Sequence, residues 1–454
     1  MRFFARKSTP SSLALALALV AGGSIAATAV EAPAAAQDKK GDEAAKPEFS
    51  KEFVTAYNAA NDPIKDEAAA DYAAAKTKLP AVNAVAKSSD EKFEAGSLAY
   101  RVATKLNDQD LKLAGLRMMA DSGKGDAKTQ GQINYGLFEA ERAAGNMDGA
   151  RTALQRAIDI GYSFDATFSD GTTGKIGPND MRSTIMRTYI DADQAQQGVD
   201  YAVQQIEQQA STGKPDETLL RSAYVAAFQN ELGPEVTKLG EMWVKYYPSP
   251  TAWGDVMAGQ RNYYTPTEPA LLDALRLLAR NDALRSERDY TDYINAADAR
   301  RLPSEVAGVI DRGVAAGKIN TSDQFIKEAK GEASGRIASE KADLPSLAAD
   351  ARKSGVSTKL IVAAANSQLS NGKAATAEEL YTLALQKPDV DKAEALTRMG
   401  IAQIDQGKYE EAQATFAKVD GDQSRKNIAQ LWSIYAAQQA AGSTGATASA
   451  ATGS

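Results

Sequence analysis

The side chains that carry most enzymatic chemistry near neutral pH are missing from this chain of 454 residues, which has no His and no Cys. Ser-His-Asp catalysis, H-E-x-x-H zinc chemistry, thiolate nucleophiles, Cys-ligated metals, disulfides and a lipidated Cys are therefore excluded. Carboxylates, Lys, Ser, Thr and Tyr remain. The 59 Asp and Glu residues form no constellation that singles out an acid and base pair. Oxygen ligands gather at 161–180 as Asp165, Asp170, Asn179 and Asp180, but their spacing departs from a calcium loop and reads as a solvated turn. Gly171 to Lys175 resembles a phosphate loop only faintly, because Ser169 stands where Gly is needed and Ile176 where Ser or Thr would hold magnesium. The densest remaining cluster is aromatic, with Trp243, Tyr246, Tyr247, Trp253, Tyr263 and Tyr264 near Arg261. Amphipathic rings beside a guanidinium make binding hot spots, stack on sugars or hold a Pro-rich peptide. They also fill the gap between misaligned helices, and in a chain with only 7% aromatic residues that packing role is the favoured reading.

The elements that must position these residues read as helices. Hydrophobic residues make up 43% of the chain, dominated by Ala with frequent Leu, Gln, Glu and Lys, a balance that favours an all-α fold over sheet. The net charge is −7, and no basic run interleaved with aromatics follows the first few residues, so nucleic acid is not an expected partner. Arg2, Arg6 and Lys7, the apolar run Leu13 to Val20, and A-x-A sites at 27–29 and 34–36 compose a secretory signal, residues 1–36, with cleavage expected before Gln37. No later apolar run is long enough to span a membrane.

Taken in order, residues 37–48 are a polar linker and 49–160 carry helical repeats. Residues 161–180, broken by Gly and Pro, read as a loop or short hairpin. Degenerate helical repeats fill 181–330, interrupted by the Pro- and aromatic-rich joint at 243–264. A polar connection is expected at 331–356, a final array with a capping helix at 357–440, and a disordered low-complexity tail at 441–454.

The clearest unit is Asp389 to Val419. Leu396, Met399, Gly400, Gln403 and Ile404 form one stripe of a first helix, Gly407 marks a turn, and Ala412, Phe416 and Val419 form a matching stripe on a second. Shifted by 35 residues the pattern recurs: Ile361 aligns with Leu396, Ala365 with Gly400, Gly372 with Gly407, Ala377 with Ala412 and Tyr381 with Phe416. A fair third copy lies at 127–160. Such a period is the mark of a helical solenoid, in which one helix pair cannot bury its own apolar face.

Gly400, Gly407, Tyr409, Ala412 and Phe416 resemble the tetratricopeptide repeat, standing where that family has its small packing residue, turn glycine, and the Tyr, Ala and aromatic of its second helix. Leu396, Gln403 and Ser424 depart from it. The resemblance implies an α-solenoid whose first helices line a concave face holding a peptide or a helix of another protein. On that implication the partner-facing positions are Lys359, Val362, Asn366, Thr397, Ile401 and Asp405, with Trp253, Arg261, Tyr263 and Tyr264 added by the aromatic joint. Only Asn366 fits the paired Lys and Asn set with which family members clamp a terminal carboxylate, so that clamp is not carried over. The expectation is a periplasmic or secreted, non-catalytic scaffold for proteins of the bacterial cell envelope, without cofactor or metal. The alternatives are a glycan-acting envelope enzyme and a glycan- or peptide-binding module at 243–264.

Overall fold

The computed structural model describes residues 49–168 and 170–451, with side chains as far as 442. The signal and linker expected at 1–36 and 37–48 lie outside the described residues, as do Ser169 and the last three residues of the tail. The chain is all-α apart from one hairpin, and it divides into two compact units, one ending at Gln205 and one starting at Ile206. Among the described residues, no helix is long and apolar enough to cross a membrane.

The first unit is built from α1 (Lys51–Asn61), α2 (Tyr72–Val85), α3 (Ser89–Leu106), α4 (Gln109–Ser122), α5 (Ala127–Ala143), α6 (Met147–Asp159), α7 (Pro178–Ile190) and the start of α8 (Ala195–Thr212). Its helices begin where short polar residues accept from the otherwise unpaired N–H groups of the first turn, Ser50 from Phe53, Asp108 from Leu111 and Asp126 from Thr129 among them. Ala and Gly let neighbouring helices close up. A Cβ on Gly96 would lie 2.7 Å from the carbonyl oxygen of Gly115, and one on Gly115 would lie 2.8 Å from that of Gly96, so α3 and α4 touch backbone to backbone. Phe53, Leu79, Leu98 and Val102 fill one part of the core, and Leu116, Ile133, Phe138, Leu154 and Met181 another. Glu91, 3% exposed, ties α1 to α3 by accepting from the backbone N–H groups of Ser50, Lys87 and Ser88 and from the Ser50 hydroxyl. Burial alone would raise its carboxyl, but these donors win and bring its pKa down to about 2.

The interruption at 161–180 is a hairpin, β1 (Phe164–Thr167) paired antiparallel with β2 (Thr173–Ile176), in register Phe164 to Ile176. Two of the acidic groups considered as ligands, Asp170 and Asp180, serve the turns, and Asp165 lies within β1. Asp170 accepts from the backbone N–H and hydroxyl of Thr172, and Asp180 accepts from the N–H of Gly177 at the start of α7.

The second unit continues with α9 (Glu217–Gln229), α10 (Gly233–Tyr246), α11 (Pro250–Tyr263), α12 (Glu268–Arg280), α13 (Glu287–Ala297), α14 (Pro303–Ala315), α15 (Gln324–Ala351), α16 (Thr358–Ser370), α17 (Ala374–Ala384), α18 (Lys392–Asp405), α19 (Tyr409–Phe416) and α20 (Gln423–Ala451). Successive helices pack as antiparallel pairs, and the repeat read at 357–419 is α16 to α19. Gly372 and Gly407 have φ of 69° and 75°, the left-handed conformation their turns require. Gly400 faces the Phe416 ring so closely that a Cβ would come within 2.5 Å of it.

Three expectations change. The segment 331–356 is not a loose connection: α15 carries helix through Ala351, including Pro345. Its Ala, Glu and Lys favour helix, while only Ile326, Ala333, Leu344, Ala348 and Ala351 are buried, and so the segment looks unstructured to a burial pattern. The joint at 243–264 is an ordinary helix hairpin, α10 and α11 with a short turn between them. The tail expected to be disordered from 441 continues α20 to Ala451.

Candidate functional site

One packing relation in the second unit has no trace in the repeat pattern. Helices α18 and α20 pack against α12, and α20 also meets α10 and α11, so the end of the unit returns to its beginning. The centre of that return is Asp273 on α12, 0% exposed. Its carboxylate accepts from Arg398 Nε at 3.0 Å, Arg425 Nη1 at 2.6 Å and Arg276 Nη1 at 3.1 Å, and its backbone oxygen accepts from Trp432 Nε1 at 3.0 Å. Arg398 also pairs with Glu394 and donates to Asn366 Oδ1. Burial alone would raise the Asp273 carboxyl, but the three guanidinium groups hold it below the usual range. Trp432 lies under Arg280 and stacks against Phe416, which ties the cap to the repeat. Further along α20, Asn427 donates to Gln260 Oε1 and Gln438 to the carbonyl of Val244.

This closure decides where the expected partner-facing residues go. Thr397 is 0% exposed and donates to Ala393, and Asn366 is buried, accepting from the Tyr381 hydroxyl at 2.6 Å as well as from Arg398. The open face expected for these two positions is covered, Thr397 on α18 where α12 and α20 pack against that helix, and Asn366 on α16 under the side chains of Tyr381 and Arg398. Lys359 is exposed and Val362 half-buried. Trp253 is 1% exposed and belongs to the core, so it offers no face to a ligand. Trp243 is buried against Tyr224. Arg261 pairs with Asp292 at 2.5 Å, Tyr263 donates to the carbonyl of Phe228, and Tyr264 is half-buried. These rings thus largely pack between helices.

Two of the predicted residues line a half-open pocket of about 290 Å³ in the second unit, Asp405 and Ile401, although Ile401 is only 1% exposed and not open to solvent as expected. Its other walls come from α12 with Arg276, Ala279 and Arg280, from α13 with Tyr293, from α14 with Ser304, Glu305, Gly308, Val309 and Arg312, and from Leu284, Leu369 and Ser370. Helical spacing puts 305, 308, 309 and 312 on one face of α14, and 401 and 405 on one face of α18. Sequence reasoning missed the α12 and α14 residues because their helices match no repeat. Their visible signal is the arginine spacing on α12, with Arg276 and Arg280 one turn apart.

The pocket's charges are mostly spent on one another. Arg276 grips Glu305 with both arms, at 2.8 and 2.7 Å, and Tyr293 donates to the same carboxylate. Arg280 grips Asp405 likewise, at 2.5 and 3.0 Å. Burial alone would raise Glu305, but Arg276 and Tyr293 hold it below the usual carboxylate range, so it is a fixed anion and not a proton donor near neutral pH. Arg312 is exposed at the rim, donates to the Ala279 carbonyl at 2.7 Å and forms no ion pair among the described residues. Gly308, within α14, would place a Cβ where no heavy atom lies within 4 Å. A helix-interior glycine costs about 0.5–1 kcal/mol relative to Ala, and here neighbouring packing does not require it. Among the described residues, no group of three or more Asp or Glu side chains is placed to hold a metal ion.

The fold and this pocket define an all-α helical-repeat protein, with an internally neutralised cleft edged by one spare guanidinium. No family model matches the chain, and no curated protein is similar to it. Among solved structures the crystal structure of yeast Tom70 is similar at 11% identity, covering 85% of this chain and 96% of that one, with a TM-score of 0.19. At that score the likeness carries no argument, and the repeat architecture rests on the helix pairs themselves.

Proposed function

We propose that the protein is a non-catalytic scaffold that docks other proteins of the cell envelope, exported by its N-terminal signal to the periplasm or beyond. The observation that carries this reading is the pocket of the second unit, whose two carboxylates are each held bidentate by an arginine. Acid and base chemistry needs a carboxyl free to exchange its proton, whereas a cleft of mixed lining whose charges are already paired is suited to recognition. The absence of His and Cys points the same way.

The test is photo-cross-linking in the native cell, with a photoreactive amino acid at Ser370 on the pocket rim and, as a control, at Arg156 on the first unit. Discrete protein adducts from the rim position, together with a mature N-terminus at Gln37, support the reading. Absence of protein adducts, or release of fragments from purified peptidoglycan that a single Glu→Gln change abolishes, overturns it.

A further inference from the structure

The pocket also specifies what enters it. Leu284, Val309, Leu369 and Ile401 are buried apolar residues that line part of the cavity beside its paired charges, so that part offers a seat to an apolar side chain. Its volume, about 290 Å³, is at the bottom of the range for pockets that enclose whole small ligands and is suited to a single large side chain. Gly308 keeps one wall bare although a Cβ there would have no heavy atom within 4 Å, and this lets a guest approach the backbone of α14. The charges decide what lies beside the apolar group. With Arg276 matched to Glu305 and Arg280 to Asp405, the lining keeps one cation in excess, Arg312 at the mouth.

We infer that the pocket takes an apolar anchor side chain from a segment of a partner protein, with an acidic side chain within a turn of that anchor set against Arg312. This rests on the scaffold reading and adds the chemistry of the partner. A guest carrying Lys at the same place would face Arg312 and be repelled, so the rim selects as well as attracts.

The experiment is isothermal titration of the full chain, at low ionic strength, with short acetylated and amidated peptides that differ only at the anchor and at the residues one turn beyond it. The Leu and Glu peptide binds, while the Leu and Lys peptide and the Ser and Glu peptide bind at least about tenfold more weakly. Gly308→Leu, whose Cβ has no heavy atom within 4 Å and whose side chain takes up cavity space, abolishes binding and leaves the thermal melt unchanged or raised. Arg312→Glu reverses the preference between Glu and Lys peptides. Equal affinity for Glu and Lys peptides, binding that survives Gly308→Leu, full competition by acetate or inorganic phosphate, or no binding by any peptide each overturns the inference. If rim cross-links to a protein form while the peptides fail, the scaffold reading stands and only this occupant is lost. If both fail, both are lost.

Discussion

Asp273→Asn is the sharpest test of the closed second unit. The substitution keeps the shape of the side chain and one acceptor but removes the charge shared by Arg276, Arg398 and Arg425. Arg276 and Arg398 retain Glu305 and Glu394, while Arg425 is left without its carboxylate at 4% exposure. Removing one partner of a buried ion pair costs about 3–5 kcal/mol, because the remaining charge stays desolvated. For a unit of this size that corresponds to a fall in melting temperature of roughly 10 °C. All three tryptophans, Trp243, Trp253 and Trp432, belong to the second unit, so tryptophan fluorescence in urea follows that unit without interference from the first. Hydrogen exchange of α20 adds the local readout, since loss of the Arg425 contact exposes its amides before the unit unfolds. The control is Asp311→Asn, which breaks the exposed pair with Lys330 in the same unit and costs at most about 0.5 kcal/mol. A loss below about 1 kcal/mol for Asp273→Asn, with α20 protection unchanged, would refute the claim that this node holds the unit closed.

Three further outcomes follow from single residues. Gly400→Ala drives a methyl into the Phe416 ring and lowers the second unit's urea midpoint, at a cost of about 1–3 kcal/mol; an unchanged midpoint would mean that α18 and α19 are not packed as described. Glu241, pushed up to about 7 by burial, stays protonated in the folded state while its unfolded counterpart ionises near 4.5, so stability falls as pH rises between those values. Glu241→Gln then flattens the pH dependence of the melting temperature in that window, and an unaltered profile counts against it. Glu91 behaves oppositely: its pKa is depressed to about 2, so its contribution is complete above about 4.5 and is lost as pH falls toward 2. Glu91→Ala costs about 1–3 kcal/mol at neutral pH, read by circular dichroism melts, and weakens the acid limb of unfolding.

Much of the architecture was legible locally. The stripe ending at Ile404, the glycines at 372 and 407 and the aromatic positions 381 and 416 report contacts between neighbours in sequence, which a repeat must encode within each copy. The hairpin was visible because Gly and Pro interrupt the helical period. By contrast α15 was misread, since a helix with only five buried residues has too narrow an apolar stripe to announce itself.

The candidate site shows where such reading stops. Ile401 and Asp405 could be picked as inner-face positions from the repeat, but their partners Arg280 and Arg312 come from helices that match no repeat. Ile401, Thr397 and Asn366 were chosen by the same logic and are buried, as is Trp253 from the aromatic joint. The sequence by itself determined the missing catalytic side chains, the helical class and the repeat at 357–419, because each is a matter of residue type or of short-range periodicity. Tertiary structure alone decided that α20 returns to α12 and that a pocket opens between α12, α14 and α18. The contacts of α12 with α18 and α20 join residues more than a hundred positions apart, and the pairing of Asp273 with Arg398 and Arg425 leaves no periodic mark along the chain.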